Sequence, residues 1–324
     1  MNPLNRRAML RTSGATSALL ALSPFTGLSS FARGAEAASD SLPMQLYKSL
    51  SDEQRTNICL AVDHRRRHFI SNWWYVNPEH RIHTTFNGDQ QELIGTIFES
   101  LHSPEHRDAV NKQVKSDLMG KIGNTPSIGF FGTPQDDDFE FIYTGHHVTR
   151  RCNAHSDKGH GFGGAPIFYG NFAGNFHETK DHPGNPYWYQ GLIFNEFVQA
   201  LDGRQQKDAL ISANPRSEKP KLVILKKKRE WTGLSCATLS QDQKNLLLET
   251  MRKMMATFRD GDIAATIESI KSRNIIDELY VSYYDGKYDI GSDKVWDTWQ
   301  IEGPNMVWYF RGEPHIHAYF HLNA

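Results

Sequence analysis

Histidines recur at alternate positions close to the end of this chain. In His315–Leu322 a strand would place His315, His317, Tyr319 and His321 on one face, because side chains alternate with a period of two. The other face would carry the apolar residues Ile316, Ala318, Phe320 and Leu322 and would pack on a core. Imidazole binds metal ions and moves protons near neutral pH. His315 and His317 are therefore predicted to form a two-ligand arm, and His321 is predicted to be solvated near the chain end.

A second histidine pair, His146 and His147, follows Gly145 at the end of a predicted strand, Phe139–Thr149. Neighbours on a regular strand point to opposite faces, so only one of the pair is expected to enter a given site unless a bulge occurs at Gly145. The alternation of the strand predicts His147 on its more apolar face. Three imidazoles with an open position suit zinc, copper or iron. The candidate metal ligands are thus His146, His147, His315 and His317, with a solvated strand face as the alternative.

One further histidine lies in a segment that mixes basic and aromatic residues, Arg65–Tyr75. His68 is the candidate catalytic acid or base there, beside a substrate that would stack on Trp73 or Trp74. A basic edge next to a half-buried strand accounts for the same pattern and is the favoured interpretation. The motifs of serine hydrolase elbows, zinc protease helices and nucleotide-binding loops are absent from the sequence, which disfavours those classes.

The first residues predict export from the cytoplasm. Arg6 and Arg7 precede a short, weakly apolar run that ends near Ala35-Glu36-Ala37, a small-x-small cleavage signal. This pattern resembles a twin-arginine signal peptide over residues 1–37 and implies the twin-arginine export machinery as a partner. An ordinary secretory signal or a disordered basic tail is the alternative. We expect a flexible linker over residues 38–49, a single domain over 50–324, and a periplasmic or secreted location.

Composition excludes some partners. The chain has 36 basic and 37 acidic residues, and residues 1–37 hold four of the former and one of the latter, so the remainder has a net charge near −4. Such a charge does not indicate binding to nucleic acid or to an anionic membrane. No segment after the signal is long and apolar enough to span a bilayer. The three cysteines, Cys59, Cys152 and Cys236, lack metal-type spacing, and their pairing is left open.

Elements that would position the histidines can be read from caps and periodicity. Capping boxes begin at Ser51 and Ser240, with looser versions at Asn87 and Asp202, and helical periodicity follows each. The strands cluster in hairpins, and the last three are predicted to form an antiparallel meander. This clustering favours an α+β fold with an antiparallel sheet and peripheral amphipathic helices.

Several short motifs in order resemble the bacterial family catalogued as domain of unknown function 3500. The similarity runs from about Leu50 to the C-terminus and rests on His68-Phe69-Ile70, Phe131-Gly132-Thr133-Pro134, Gly145-His146-His147, Pro166-Ile167-Phe168-Tyr169-Gly170, Gly303-Pro304 and His315-Ile316-His317. The resemblance implies one exported domain and draws attention to the same five histidines. It implies no reaction.

Two functions follow from the histidines. The first is a metal-dependent enzyme outside the cytoplasm, using a divalent or redox-active ion and acting on a small molecule. Oxidative chemistry is favoured over hydrolysis, because redox metals accept all-nitrogen ligand sets and few carboxylates lie near the histidine motifs. The alternative is a non-catalytic periplasmic protein that binds a metal or a small molecule. A structural domain with incidental histidines is a third possibility.

Overall fold

Five of the described α-helices begin with a side-chain cap, at Ser41, Ser51, Asn87, Asp202 and Ser240. The predicted boxes at Ser51, Asn87, Asp202 and Ser240 are all formed, each with the glutamine three residues later bonding back to the cap. The structure, a computed structural model, describes residues 41–155, 161–171, 185–213, 221–223, 231–285, 295–312 and 314–323. The helices in these ranges are α1 (Leu42–Ser49), α2 (Asp52–Ile58), α3 (Ile82–Thr85), α4 (Gly88–Ser100), α5 (Arg107–Asp117), α6 (Trp188–Gln199), α7 (Gly203–Ala209), α8 (Gln241–Met254) and α9 (Asp260–Ser272).

The predicted linker over residues 38–49 is wrong for residues 42–49, which form α1. Ser41 caps this helix and also bonds through its hydroxyl to the carbonyl of Ala154, and Leu46 is fully buried. Burial of a leucine favours order over flexibility, because it removes apolar surface from water. The predicted signal peptide, residues 1–37, lies outside the described residues and stays a prediction.

Most strands join one large sheet. The strands are β1 (Cys59–Leu60), β2 (Phe69–Ile70), β3 (Ser127–Phe131), β4 (Glu140–Gly145), β5 (Val148–Asn153), β6 (Ile167–Gly170), β7 (Leu210–Ile211), β8 (Lys221–Leu222), β9 (Leu234–Ser235), β10 (Tyr280–Tyr284), β11 (Thr298–Glu302), β12 (Met306–Arg311) and β13 (His317–Leu322). The sheet order is β1-β3-β4-β5-β6-β13-β12-β11-β10-β7, with β9 also paired to β10. Only the β1–β3 and β10–β7 pairs are parallel among these.

The fold is α+β, as predicted, and the C-terminal meander β11-β12-β13 is present. Ile316, Ala318 and Phe320 join the main core, as the alternation of the strand requires. The opposite face is covered as well: Tyr319 packs in a second cluster, and His321 is only 4% exposed. The prediction of a solvated His321 is therefore wrong, because a paired strand rather than a fraying end holds this residue.

The described residues include neither a helix that could span a membrane nor a disulfide bond among the three cysteines. No helix in the described ranges is long and apolar enough to cross a membrane. Cys59, Cys152 and Cys236 are all free thiols. Burial raises the pKa of Cys59 to about 11 and that of Cys236 to about 12. Both thiols are therefore protonated at neutral pH and poor nucleophiles.

Candidate metal centre

His146 and His147 form the tight turn between β4 and β5. Gly145 pairs with Val148, so the two histidines are the loop of a hairpin and not the end of one long strand. His147 has φ 53, a left-handed conformation that histidine adopts more readily than most residues. The predicted continuous strand Phe139–Thr149 and its rule of opposite faces are therefore wrong here. Residues in a turn do not alternate, so both rings lie at the same end of the hairpin.

The C-terminal pair reaches this turn across an intervening strand. A metal site shared by the two histidine pairs would be simplest if β13 neighboured the hairpin, but β6 lies between β5 and β13. Val148 pairs with Tyr169, and the next residue of β6, Gly170, pairs with His317. His147 and His317 thus flank Gly170. A Cβ atom at Gly170 would lie 2.2 Å from the carbonyl oxygen of Ile316, so only glycine fits at this position.

His315 precedes β13 rather than belonging to it. Asn171 fixes the segment through two hydrogen bonds. Its side-chain oxygen accepts from the backbone N–H of Ile316 at 3.0 Å, and its backbone N–H donates to the carbonyl of Ile316 at 3.2 Å. The ring of His315 therefore lies on the same side as that of His317, with the ring centroids 4.5 Å apart.

Three imidazole nitrogens converge. The Nε2 atom of His317 lies 3.0 Å from Nε2 of His147 and 2.8 Å from Nε2 of His315. Potential ligand atoms of the three residues all lie within 4.8 Å of one another. Two ligands about 2.0–2.1 Å from one metal ion are separated by about 2.9–3.4 Å for bond angles between a right angle and a tetrahedral one. The observed spacing of 3.0 Å lies at the lower end of that range, and the spacing of 2.8 Å lies just below it.

The hydrogen-bond partners of His147 and His317 determine which ring nitrogen carries the proton. Nδ1 of His147 faces the carboxylate of Asp117 at 3.0 Å and must donate, so its Nε2 presents a lone pair to the cluster. Nδ1 of His317 contacts the guanidinium of Arg311, which can only donate, so a neutral His317 carries its proton on Nε2. That single proton has two neighbouring nitrogens. It can satisfy only one of the two contacts. Ligation of a metal ion through Nε2 of His317 would move that proton to Nδ1, so the guanidinium of Arg311 would have to give up its contact with this ring.

Asp117 contacts the cluster through His147, and no prediction from the sequence included it. It ends α5 and is 1% exposed. Ligating histidines usually donate their second N–H to a carboxylate, which orients the ring and increases its basicity. A signal existed: Val110, Gln113, Val114 and Asp117 form the buried face of α5, so the sequence places a carboxylate on the apolar side of a helix.

A buried polar chain continues behind Asp117. Gln113 donates to Asp117, and the hydroxyl of Tyr187 donates to Gln113 at 3.4 Å. Arg150 then donates to Tyr187 at 2.7 Å and to Nε2 of His102 at 2.9 Å. All five side chains are buried, so this series of hydrogen bonds fixes the carboxylate that orients His147.

Burial sets the protonation of the cluster. It lowers the pKa of His147 well below the usual value, and the neighbouring His317, His146 and His315 lower it further. Burial also lowers the pKa of His146. Metal ligation needs unprotonated imidazole, so at neutral pH protons on His147 do not compete with a metal ion.

The remaining candidates, His146 and His68, lie outside the three-histidine group. His146 donates from Nδ1 to the carbonyl of Asp117 at 3.1 Å and stacks on His147, with the ring centroids 3.9 Å apart. With Asp117 and His147 it forms a second group that could hold a metal ion. That group would use Nδ1 of His147, which the carboxylate of Asp117 already engages, so the three-histidine group is the stronger candidate.

His68 is placed with another partner. Its ring meets that of His321, with the centroids 6.2 Å apart, and burial followed by the charges of Arg151 and Arg67 lowers its pKa. It is absent from both groups of possible metal ligands in the described residues. Its assignment as an acid or base stays a prediction, and so does the ligand role of the other four histidines.

Exposure shows where the cluster opens. His147 and His317 are 1% and 5% exposed, whereas His315 is partly exposed. Trp73 stacks on His146 and is 43% exposed, so an aromatic surface open to solvent lies beside His146.

Comparison with known proteins adds the family alone. A family model described as "Protein of unknown function (DUF3500)" matches residues 35–322. No curated protein and no solved structure shows a significant match to the chain.

Proposed function

The chain belongs to the DUF3500 family, and we propose that it is an exported protein whose His147, His315 and His317 bind one transition-metal ion. The observation that carries this proposal is the convergence of three Nε2 atoms, at 2.8 and 3.0 Å from the central one. The Asp117–His147 contact is the second support, because it reproduces the carboxylate–histidine–metal arrangement of known sites.

We further propose that the bound ion is catalytic and redox-active, with copper preferred. Three protein ligands leave at least one coordination position for a substrate. The proposed ligands are neutral nitrogens, and the affinity of such sites for divalent ions peaks at copper. The twin-arginine pattern at Arg6 and Arg7 supports export to the periplasm or beyond, by a route that carries folded proteins.

A non-catalytic metal-binding protein is the second candidate, and the near-complete burial of His147 and His317 favours it. The two candidates differ in whether a small ligand can reach the ion. An enzyme needs an open position, and a storage or transfer protein does not.

Electron paramagnetic resonance of the copper(II)-loaded protein tests the site. We expect nitrogen hyperfine structure from three imidazoles in the wild type and from two in His315→Ala. His155→Ala is the control, because His155 is exposed and bonds through Nε2 to a backbone carbonyl instead of another histidine. An unchanged nitrogen count in His315→Ala would remove His315 from the site.

Added azide then separates the two candidates. A change in the copper spectrum on addition of azide indicates an open position and supports the enzyme. An unaltered spectrum with copper bound supports the binding protein instead.

A further inference from the structure

A column of three stacked rings leads from the surface to the candidate metal centre. The rings of Trp73 and His146 have centroids 4.4 Å apart and planes inclined by 24°. The rings of His146 and His147 follow at 3.9 Å and 30°. His147 is a proposed ligand, so the inner end of the column lies at the metal, and its outer end is exposed.

Hydrogen bonds hold each ring of the column in place. Trp73 and His146 form an isolated backbone bridge, and the amide of His147 donates to the carbonyl of Asn72 at 2.7 Å. The indole N–H of Trp73 donates to the hydroxyl of Tyr75 at 2.8 Å. A tryptophan held in this way keeps its orientation without being buried.

Exposure of Trp73 is unusual in this molecule. Trp73, Ile122 and Leu246 are the only large hydrophobic residues that are exposed in the described ranges. His146 stacks on one face of the indole and 43% of Trp73 remains exposed, so an aromatic ring from solution can contact the exposed part of the indole. Aromatic rings prefer offset-stacked positions, and a partly apolar platform beside a polar site is typical of ligand recognition.

We propose that Trp73 docks an electron-rich aromatic reductant and that the column passes one electron from it to the metal ion. The electron-transfer part of this inference rests on the proposed function, whereas the docking part does not. The aromatic donor loses one electron, and the metal ion falls by one unit of charge. No bond breaks in this step, and an acidic proton on the oxidised donor would pass to water at the exposed end.

Binding to the metal-free protein tests the docking half. The probe is N,N,N′,N′-tetramethyl-p-phenylenediamine, an aromatic one-electron donor without an acidic proton, and its Kd is measured by ligand-observed NMR. Trp73→Ala should weaken binding about two- to tenfold, the usual worth of an aromatic pair. Trp73→Phe should restore most of the affinity, and Leu246→Ala, which removes a remote exposed side chain, should leave it unchanged. An equal Kd for wild type and Trp73→Ala overturns the proposal.

Anaerobic stopped-flow reduction of the copper(II)-loaded protein tests the electron path. Trp73→Ala should slow reduction by subsaturating tetramethylphenylenediamine about two- to tenfold, in proportion to the lost docking. It should leave the copper content unchanged and should slow reduction by hexacyanoferrate(II), which has no aromatic ring, by less. An unchanged rate with tetramethylphenylenediamine would refute the path, and equal slowing with both donors would refute docking of an aromatic donor at Trp73. Absence of copper from the wild type would refute the proposed function, while the binding measurement would still decide whether Trp73 docks the donor.

Discussion

Replacing Asp117 by asparagine removes one negative charge behind His147 and leaves the size of the side chain almost unchanged. The side chains of Asp117 and His147 are both almost completely buried. Oδ2 of Asp117 accepts a hydrogen bond from Nδ1 of His147 at 3.0 Å. Loss of a supporting carboxylate typically costs about 10–100-fold in metal affinity. We therefore expect Asp117→Asn to weaken metal binding by about 1.4–2.7 kcal/mol, since each factor of ten is worth about 1.4 kcal/mol.

The same geometry sets an upper limit, or ceiling, on the metal-binding free energy that the charge of Asp117 can contribute. The contact, the imidazole ring and a metal–nitrogen bond together place a metal ion roughly 6–7 Å from the carboxylate oxygen. At an effective dielectric constant of about 20, the attraction between a carboxylate and a divalent ion at that distance is about 5 kcal/mol. The expected loss lies below this ceiling, because asparagine keeps an acceptor for the Nδ1 proton.

Competition with a chromophoric chelator measures the affinity, and denaturation of the metal-free protein reports the fold. Asp108→Asn is the matched control, since Asp108 lies in the first turn of the same helix and is exposed. A folded Asp117→Asn variant with wild-type affinity would refute the supporting role of Asp117.

Three further predictions concern protons, acid stability and export. Because a neutral histidine that ligates through Nε2 only moves its proton to Nδ1, metal binding should release almost no proton at neutral pH, measured by calorimetry in buffers of different ionisation enthalpy. Release of about one proton per ion would contradict neutral histidine ligands. Burial lowers the pKa of His321 to about 3, so the stability it confers is present above pH 6.5 and is lost as the pH falls towards 3. His321→Phe should therefore reduce the drop in unfolding free energy between pH 6.5 and pH 5 by about 2 kcal/mol, and an equal drop in both proteins would contradict the assignment. Replacing Arg6 and Arg7 by lysine should retain the precursor in the cytoplasm, as cell fractionation would show, whereas unchanged export would indicate the general secretory route.

Local signals predicted the local structure well. The glutamines three residues after Ser51 and Ser240 predicted helix starts that are present, because a capping box depends only on neighbouring residues. The alternation around Ala318 and Phe320 predicted the face that enters the core, since the strand period decides it.

The turn at His146 and His147 was not predicted, because it lacks the glycine and asparagine that usually mark tight turns. The alternating aromatic residues before it continue the pattern of a strand, and His147 adopts a positive φ instead of a glycine. Gly145 was the one local sign of an irregularity in Phe139–Thr149, and it predicted at most a bulge and not a turn.

Long-range packing explains the rest of the site. Asp117 meets His147 from a helix 30 residues earlier, and β6 separates the hairpin from β13. No local pattern encodes either contact. Gly170 ends one of the family motifs, but the physical reason for this glycine, the close approach of Ile316, is visible only in the fold.

Metal content measured by elemental analysis tests the central claim most directly. The mature protein, purified from its native export route, should contain about one transition-metal ion per chain, as a single three-histidine site requires. The variant with both His315→Ala and His317→Ala, with its fold verified by circular dichroism, should contain almost none, whereas His155→Ala should match the wild type. A wild-type protein without metal that also fails to bind added copper, zinc or iron would contradict the claim, as would a folded double variant that keeps its metal.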